Sequence, residues 1–289
     1  MGCAVVLASG QNAPRDIAVD AINVYWSNAG TEYTNTGSIV KVPVNGGAPF
    51  TLASGFEFPQ FITIDATSVY WTSGDGNGLV MSVPIGGGTP ITIGTSTFPQ
   101  DLAVDGMYVY WADQYDGAIY RAPLGGGTKV TFASAPSAEG VAIDATHLYW
   151  TEEGAGAVMS KPLDGGPATT IATGQDQPWE IVVDGAHAYW RTMGVNTSIP
   201  GLAMAPLWGG TVIARRDNNG SGYLALDGQN LFSATPSDVW SDPVPLSPDS
   251  GTPADLASLQ QNPEGLAVDS TSLYWTVMSD GTIIKLTPK

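Results

Sequence analysis

Five carboxylates, Asp16, Asp101, Glu139, Glu180 and Glu264, stand just ahead of a short apolar block that recurs along the chain. A set of oxygen ligands of this kind could hold a hard cation such as Ca2+ or Mg2+. Glu139 and Glu180 are the candidate catalytic pair, an acid and a base if their surroundings split the two pKa values. The remaining places at these two positions carry Arg15, Gln60, Phe61, Gln100, Trp179 and Tyr223, with glycine at 140, 222 and 265. Trp179, Tyr223 and Phe61 offer flat faces to a sugar or another planar ligand. With Arg15, Gln60, Gln100 and Glu264 they form a mixed polar and aromatic set that we read as ligand-binding. The competing reading is that these side chains only fill and solvate a channel.

The block itself fixes the architecture. It reads Ile17-Ala-Val-Asp20, Ile62-Thr-Ile-Asp65, Leu102-Ala-Val-Asp105, Val141-Ala-Ile-Asp144, Ile181-Val-Val-Asp184, Leu224-Ala-Leu-Asp227 and Leu266-Ala-Val-Asp269. The Asp-to-Asp spacings of 45, 40, 39, 40, 43 and 42 residues match the period of propeller blades. After each Asp come turn residues and an aromatic pair, Tyr25-Trp26, Tyr70-Trp71, Tyr110-Trp111, Tyr149-Trp150, Tyr189-Trp190 and Tyr274-Trp275, replaced in the sixth copy by Phe232-Ser233. A polar loop, a strand ending in Pro, a Gly-Gly turn and a β-branched strand complete the unit. Gly-Gly supplies the positive φ of tight hairpins, and proline is tolerated at a strand end. Each repeat therefore predicts four strands, A (ending in the Asp), B (the aromatic pair), C (ending in Pro) and D.

The seventh repeat stops after its C strand at Lys289, while Val6-Leu-Ala-Ser9 near the start has the D pattern. The expectation is one all-β domain over 1–289, a seven-bladed β-propeller of four-stranded blades. Residues 3–10 supply the closing strand of the last blade, which ties the chain ends together. A pair present in six of seven copies is packing between blades, so the Tyr-Trp pairs read as core rather than as a sugar ladder. The recurring Asp reads as a turn residue that accepts backbone N–H bonds.

Composition narrows the partners. A net charge of −17 argues against nucleic acid and disfavours anionic membranes. It is compatible with cations, basic partners or neutral sugars. No run of about 18 apolar residues is present to form a membrane helix. Cys3 is the only cysteine, so neither an intrachain disulfide nor a cysteine zinc cluster is available. The glycine clusters lie in hairpin turns, not between a strand and a helix, which excludes a nucleotide-binding loop.

The unit Pro-x-x-Ile-Ala-Val-Asp…Tyr-Trp…Gly-x-Val-x-x-Val-Pro-x-Gly-Gly resembles the Tyr-Trp-Thr-Asp propeller repeats of lipoprotein receptors. Tyr70-Trp71-Thr72 and Tyr149-Trp150-Thr151 come nearest, although those propellers have six blades and no Asp follows Thr here. It is more similar to repeat proteins of soil bacteria of the myxobacterial type. That resemblance implies an exported protein, with the signal peptide missing from the chain as given, and we expect it to act as a monomer. In shape the expected fold also resembles the streptogramin lyases, for which the resemblance implies histidine, glutamate and magnesium. The two histidines, His147 and His187, precede the aromatic pair in the A–B turn, on the face opposite a lyase site, so that likeness stops at shape.

Strand A lines the channel of a propeller, and the loops entering A and joining B to C share one face. The expected function is therefore binding of a carbohydrate, small molecule or peptide at that channel mouth. The alternatives are a lyase or hydrolase using rim carboxylates with a divalent cation, and a protein-interaction scaffold. Irregular loops mark blade 1 (27–36), blade 5 (191–200, with Trp208 in its C–D turn) and blade 6 (238–245) as further places for function.

Overall fold

The computed structural model describes residues 2–74, 78–194, 201–215, 222–247, 253–258 and 260–289, and the backbone of Arg216. They form seven four-stranded antiparallel sheets, the blades of a β-propeller, with no helix among the described residues. Blade 1 consists of Pro14–Val19, Asn23–Asn28, Gly37–Pro43 and Phe50–Phe56, hydrogen-bonded in that order as strands A to D. The seventh blade orders Pro263–Val268, Leu273–Val277, Thr282–Thr287 and then Cys3–Ala8. The N-terminal strand thus closes the ring, as its pattern predicts.

The aromatic pair sets the packing. Successive side chains in a strand point to opposite faces, so Tyr and Trp of one blade reach different neighbours. The core is divided into seven clusters, one between each pair of adjacent blades. Trp26 shares a cluster with Tyr274, Trp71 with Tyr25, Trp111 with Tyr70, Trp150 with Tyr110, Trp190 with Tyr149, and Trp275 with Phe232. All six of these tryptophans are fully buried. Between blades 5 and 6, where Ser233 stands in place of Trp, Tyr189 packs instead with Leu202, Met204, Leu224, Leu231 and Leu246.

The repeated Asp closes the A–B turn and holds the tyrosine. Asp20 Oδ1 accepts from the amides of Ile22 and Asn23, and Oδ2 accepts from the Tyr25 hydroxyl at 2.8 Å. Five other blades repeat the Asp–Tyr bond, at 2.7 to 2.9 Å. The second bond was not expected, although the fixed five-residue spacing from Asp to Tyr carries its signal.

Strand A is bent where it enters the blade. In six blades a β-bulge separates the entry residue from the apolar block, as between Pro14 (opposite Asn28) and Ile17 (opposite Trp26). An extra residue re-aims the side chains around it, and here they are the rim residues. Before the bulge, Ala13, Phe58, Ser137, Gln177 and Asn262 take positive φ of 48° to 59°. Their carbonyls accept amides from the B–C loop of the same blade, for example Ala29 to Ala13 at 2.9 Å and Glu153 to Ser137 at 3.0 Å. The D–A and B–C loops are thereby locked into one face, while the A–B and C–D turns form the other.

Of the irregular loops, that of blade 5 lies outside the described residues from 195 to 200. Blade 6 keeps strand C over Val239–Pro243 despite its altered pattern.

Candidate functional site at the channel mouth

Three of the predicted rim carboxylates face the channel as clasps between blades. Asp16 Oδ1 accepts the amide of Ile17 in its own strand at 2.8 Å, and Oδ2 accepts that of Ile62 in blade 2 at 2.8 Å. Asp101 does the same with Leu102 at 2.7 Å and Val141 of blade 4 at 2.9 Å. Glu180 accepts the amide of Leu224 in blade 6. Blades 1, 3 and 5 thus each hold the next strand A. Burial pushes Asp16 up to about 8 and Asp101 up to about 7, with the backbone bonds opposing it. Burial, with the Asp101 and Asp16 charges, pushes Glu180 well above the carboxylate range.

Glycine and hydroxyl residues complete the inner ring. A Cβ on Gly140 would lie 2.1 Å from the carbonyl oxygen of Trp179, and one on Gly265 would lie 2.6 Å from Cα of Asp16. In blades 4, 1 and 7 the residue after the Trp reaches across the seam to the next blade. Thr151 Oγ1 donates to the Trp179 carbonyl at 2.6 Å, Ser27 Oγ donates to that of Gln60 at 2.5 Å, and Thr276 donates to that of Arg15. In blade 5 that position is Arg191, fully buried, and its charge lies close enough to Glu180 to offset part of the burial effect.

The carboxylates do not assemble into a cation site. Among the described residues no three or more His, Cys, Asp or Glu side chains come together as metal ligands would. Glu139 finds its partner in Glu153, in the B–C loop of its own blade, and not in Glu180. Gln114 bridges the two, donating to Glu139 and to Glu153 Oε2 at 3.1 Å, and Gln100 Nε2 reaches Gln114 Oε1 at 3.5 Å. Burial and the neighbouring Glu153 push Glu139 up to about 8. Gln114 and Glu153 escaped the sequence reading because they follow the aromatic pair in B–C loops of variable sequence.

The aromatic rim residues span the channel. Phe61 of blade 2 lies 6.3 Å from the ring of Tyr223 of blade 6, and Tyr223 meets Trp179 of blade 5 edge-on at 5.6 Å. Beside this chain of rings, at blades 5, 6, 7 and 1, is a cavity of about 220 Å³. Arg15, Trp179, Tyr223 and Glu264 line it with Gly222, Pro236, Asn262 and Pro263. Four of the seven predicted ligand-binding residues therefore share one cavity. Phe61 abuts it through Tyr223, whereas Gln60 and Gln100 belong to blades 2 and 3.

Arg15 and Glu264 face each other there at 3.8 Å, too far for a hydrogen bond. Phe58 supports the guanidinium at 4.8 Å, and Asn262 Nδ2 donates to Glu264 Oε1 at 3.2 Å. Burial raises Glu264 above its usual range, against the pull of Arg15. Burial also raises Tyr223 well above the phenol range, with Asp16, Glu264 and Glu180 adding to it. Arg15 Nε, Trp179 Nε1 and Glu264 Oε2 are buried without a hydrogen-bond partner. Buried polar atoms are usually paired, and these three belong to residues that line the cavity.

The whole chain has the fold of known propellers. It is similar to a catalytically inactive virginiamycin B lyase from Staphylococcus aureus solved with quinupristin, with a TM-score of 0.78 and 14% identity over 99% of both chains. A second streptogramin B lyase structure gives 0.77 at 11% identity, covering 100% of this chain and 98% of that one. The WD40 propeller domain of Doa1 gives 0.74 at 13%, covering 100% and 98%. At these identities the likeness is one of fold. No family model matches the chain, and no curated protein matches it in sequence.

Proposed function

We propose that this protein is a ligand-binding propeller that takes a small polar molecule in the cavity of Arg15, Trp179, Tyr223 and Glu264. The observation that carries the reading is the cavity itself, which gathers Arg15, Trp179, Tyr223 and Glu264, four rim residues that the repeat does not dictate, from blades 1, 5, 6 and 7. In the same reading the protein acts as an exported monomer, with its partner a small molecule, a carbohydrate or the end of a peptide. Its acidity keeps nucleic acid and anionic membranes away.

The test is a thermal-shift screen against small sugars, amino acids, short peptides, Ca2+ and Mg2+. A compound that binds only the folded state raises the melting temperature by mass action. The reading expects a shift that Trp179→Phe and Arg15→Gln abolish; a shift that both variants retain places the site elsewhere.

A second reading, a hydrolase or lyase, finds its support in Glu139 and Glu153, two carboxyls joined through Gln114 with Glu139 held protonated near neutral pH. A divalent cation in that reading would stabilise the wild type and not Glu139→Gln.

A further inference from the structure

We infer that the cleft between blades 4 and 5, on the face of the A–B and C–D turns, binds a lysine or arginine side chain of a basic peptide. This site is separate from the channel mouth and does not depend on a ligand there.

The repeat itself shows what belongs in such a seam. On strand C, the residue paired with the tyrosine of strand B is a cation in blades 1, 3 and 7: Lys41 opposite Tyr25, Arg121 opposite Tyr110 and Lys285 opposite Tyr274. Each crosses to the next blade and donates to the carbonyl of the residue after the proline of its strand C. Lys41 Nζ reaches Ile85, an Arg121 amino group reaches Leu163 at 3.4 Å, and Lys285 Nζ reaches Val44 at 2.8 Å. Rings stand beside all three, with Tyr108 at 4.7 Å from Arg121, Phe50 at 5.9 Å from Lys41 and Tyr274 at 5.6 Å from Lys285. The seam after blade 5 is filled instead by Met204, and that after blade 6 by Lys289 Nζ, 5.9 Å from Phe232.

In blade 4 the place belongs to Ser160, opposite Tyr149, and its hydroxyl bonds Thr169 of the same blade at 2.9 Å. Strand C of blade 4 therefore sends no cation to Leu207, the residue after the proline in blade 5. A cleft of about 520 Å³ remains, walled by Asp144, His147, Tyr149, Ser160, Leu207 and Trp208. Burial raises Asp144, but bonds from Tyr149, Thr146 and His147 outweigh it and hold the carboxyl below its usual range, so it is ionised at neutral pH. In blade 3, burial and Asp105 raise the Tyr110 phenol to about 12 with Arg121 opposing them, whereas Tyr149 is raised by burial and Asp144 with no cation against them. An ammonium or guanidinium from a ligand supplies the charge that the sister seams carry.

Trp208 equips the cleft to hold such a side chain. Other C–D turns have Asn45, Gly86, Gly125 and Asp164 at this place, so the turn itself needs no indole. Trp208 is 78% exposed, and its face is open to a ligand. An indole attracts a cation within about 6 Å, and the aliphatic stem of Lys or Arg lies well on apolar surface. The seam between blades 2 and 3 also has a serine, Ser82, but Gly125 in its C–D turn. A second cleft, of about 660 Å³, adjoins the first through Asp144 and carries the exposed Met107 and Asp164. Two clefts that share a wall suit a chain, and a net charge of −17 draws basic chains.

The experiment is isothermal titration of the full chain with the acetylated, amidated tripeptides Ala-Lys-Ala, Ala-Arg-Ala and Ala-norleucine-Ala, and with the free diamine cadaverine. At least one basic peptide should bind, and the norleucine peptide at least about tenfold more weakly, the loss of one charge-assisted hydrogen bond. Ser160→Lys restores the cation of the sister blades and should abolish binding without lowering the melting temperature. Trp208→Ala should weaken binding about two- to fivefold. It changes only an exposed side chain, so it serves as the test if Ser160→Lys does not fold. Tyr33→Ala, which removes an exposed ring in the B–C loop of blade 1, should change nothing. Norleucine binding as tight as that of lysine, or basic-peptide binding that a folded Ser160→Lys or Trp208→Ala leaves intact, would overturn the inference. Silence of both basic peptides at about 10 mM, above millimolar affinity, would overturn it too. Binding of cadaverine alone, abolished by Ser160→Lys, would keep the cation slot and overturn the peptide.

Discussion

Lys289 Nζ lies 2.9 Å from Oδ2 of Asp227, at the carboxylate oxygen that a tyrosine hydroxyl occupies in the other six blades. Blade 6 has Phe232 where the others have Tyr, and the same lysine lies 5.9 Å from that ring. A residue of the last blade thus replaces a hydroxyl missing from its neighbour. Burial raises Asp227, and the bonds from Lys289, Gln229 and Asn230 outweigh it and hold the carboxyl below its usual range.

Lys289→Met should therefore destabilise the fold by about 1–2 kcal/mol, lowering Tm by a few degrees. Phe232→Tyr should recover most of that loss in the Lys289→Met background and add little to the wild type. A double-mutant cycle read by thermal unfolding measures the coupling. Additive effects would show that the lysine and the tyrosine hydroxyl are not equivalent.

Trp179→Phe should raise stability in the absence of ligand. The indole Nε1 is buried and unpaired, and phenylalanine removes that penalty while keeping an aromatic ring against Tyr223. An increase on the order of 1 kcal/mol is expected, opposed in part by the smaller ring. The same variant loses ligand, so stability and binding move in opposite directions. Chemical denaturation with and without the ligand found in the screen reads both. A Trp179→Phe protein less stable than the wild type would mean that the indole serves packing alone.

Much of this arrangement was legible in the sequence because seven copies of one unit separate what the fold requires from what it does not. The Ile-Ala-Val-Asp blocks, the Tyr-Trp pairs and the displaced strand at residues 3–8 all follow from the repeat. Arg15, Trp179, Tyr223 and Glu264 stood out because the repeat does not dictate them. The sequence could not show which rim residues meet. Asp16, Asp101 and Glu180 resemble cation ligands as a set, yet the bulge in strand A turns each toward the next blade's amide. Glu139 and Glu153 are neighbours only because the carbonyl of left-handed Ser137 anchors the B–C loop.

Stability should be greatest in mildly acid solution. Asp16 and Glu139 are pushed up to about 8 and Asp101 to about 7 in the folded protein, against ordinary values near 4. The folded state therefore keeps protons that the unfolded chain has released, and its stability falls as pH rises from about 4 through 8. Asp65, Asp113, Asp144, Asp184 and Asp269 are lowered, and their contribution is lost as pH falls below their usual 3.8. Between these limits Tm should peak at about pH 4 and be several degrees lower at pH 9. Glu139→Gln should flatten the alkaline side, because it keeps the bonds to Gln114 and Glu153 and removes one ionisation. A variant whose Tm falls between pH 6 and 9 as steeply as the wild type would mean that Glu139 does not titrate there.

Gly140 should be intolerant of a single methyl group, and Gly106 indifferent to it. A Cβ at 140 would stand 2.1 Å from the Trp179 carbonyl and 3.1 Å from Cα of Glu180, both backbone atoms of the neighbouring blade. The seam cannot open freely, because Thr151 holds that carbonyl at 2.6 Å and receives the Gly140 amide at 3.0 Å. Overpacking of this kind costs about 1–3 kcal/mol. Since Trp179 is displaced with the seam, Gly140→Ala should also weaken ligand. At Gly106, in the A–B turn of blade 3, nothing lies within 4 Å of the new Cβ, and blades 1, 2 and 4 already carry Ala21, Ala66 and Ala145 there. Gly106→Ala should leave Tm unchanged or raise it slightly by restricting the unfolded chain. Thermal unfolding of the two variants side by side checks the contact, and equal melting points would show that blades 4 and 5 are not so closely joined.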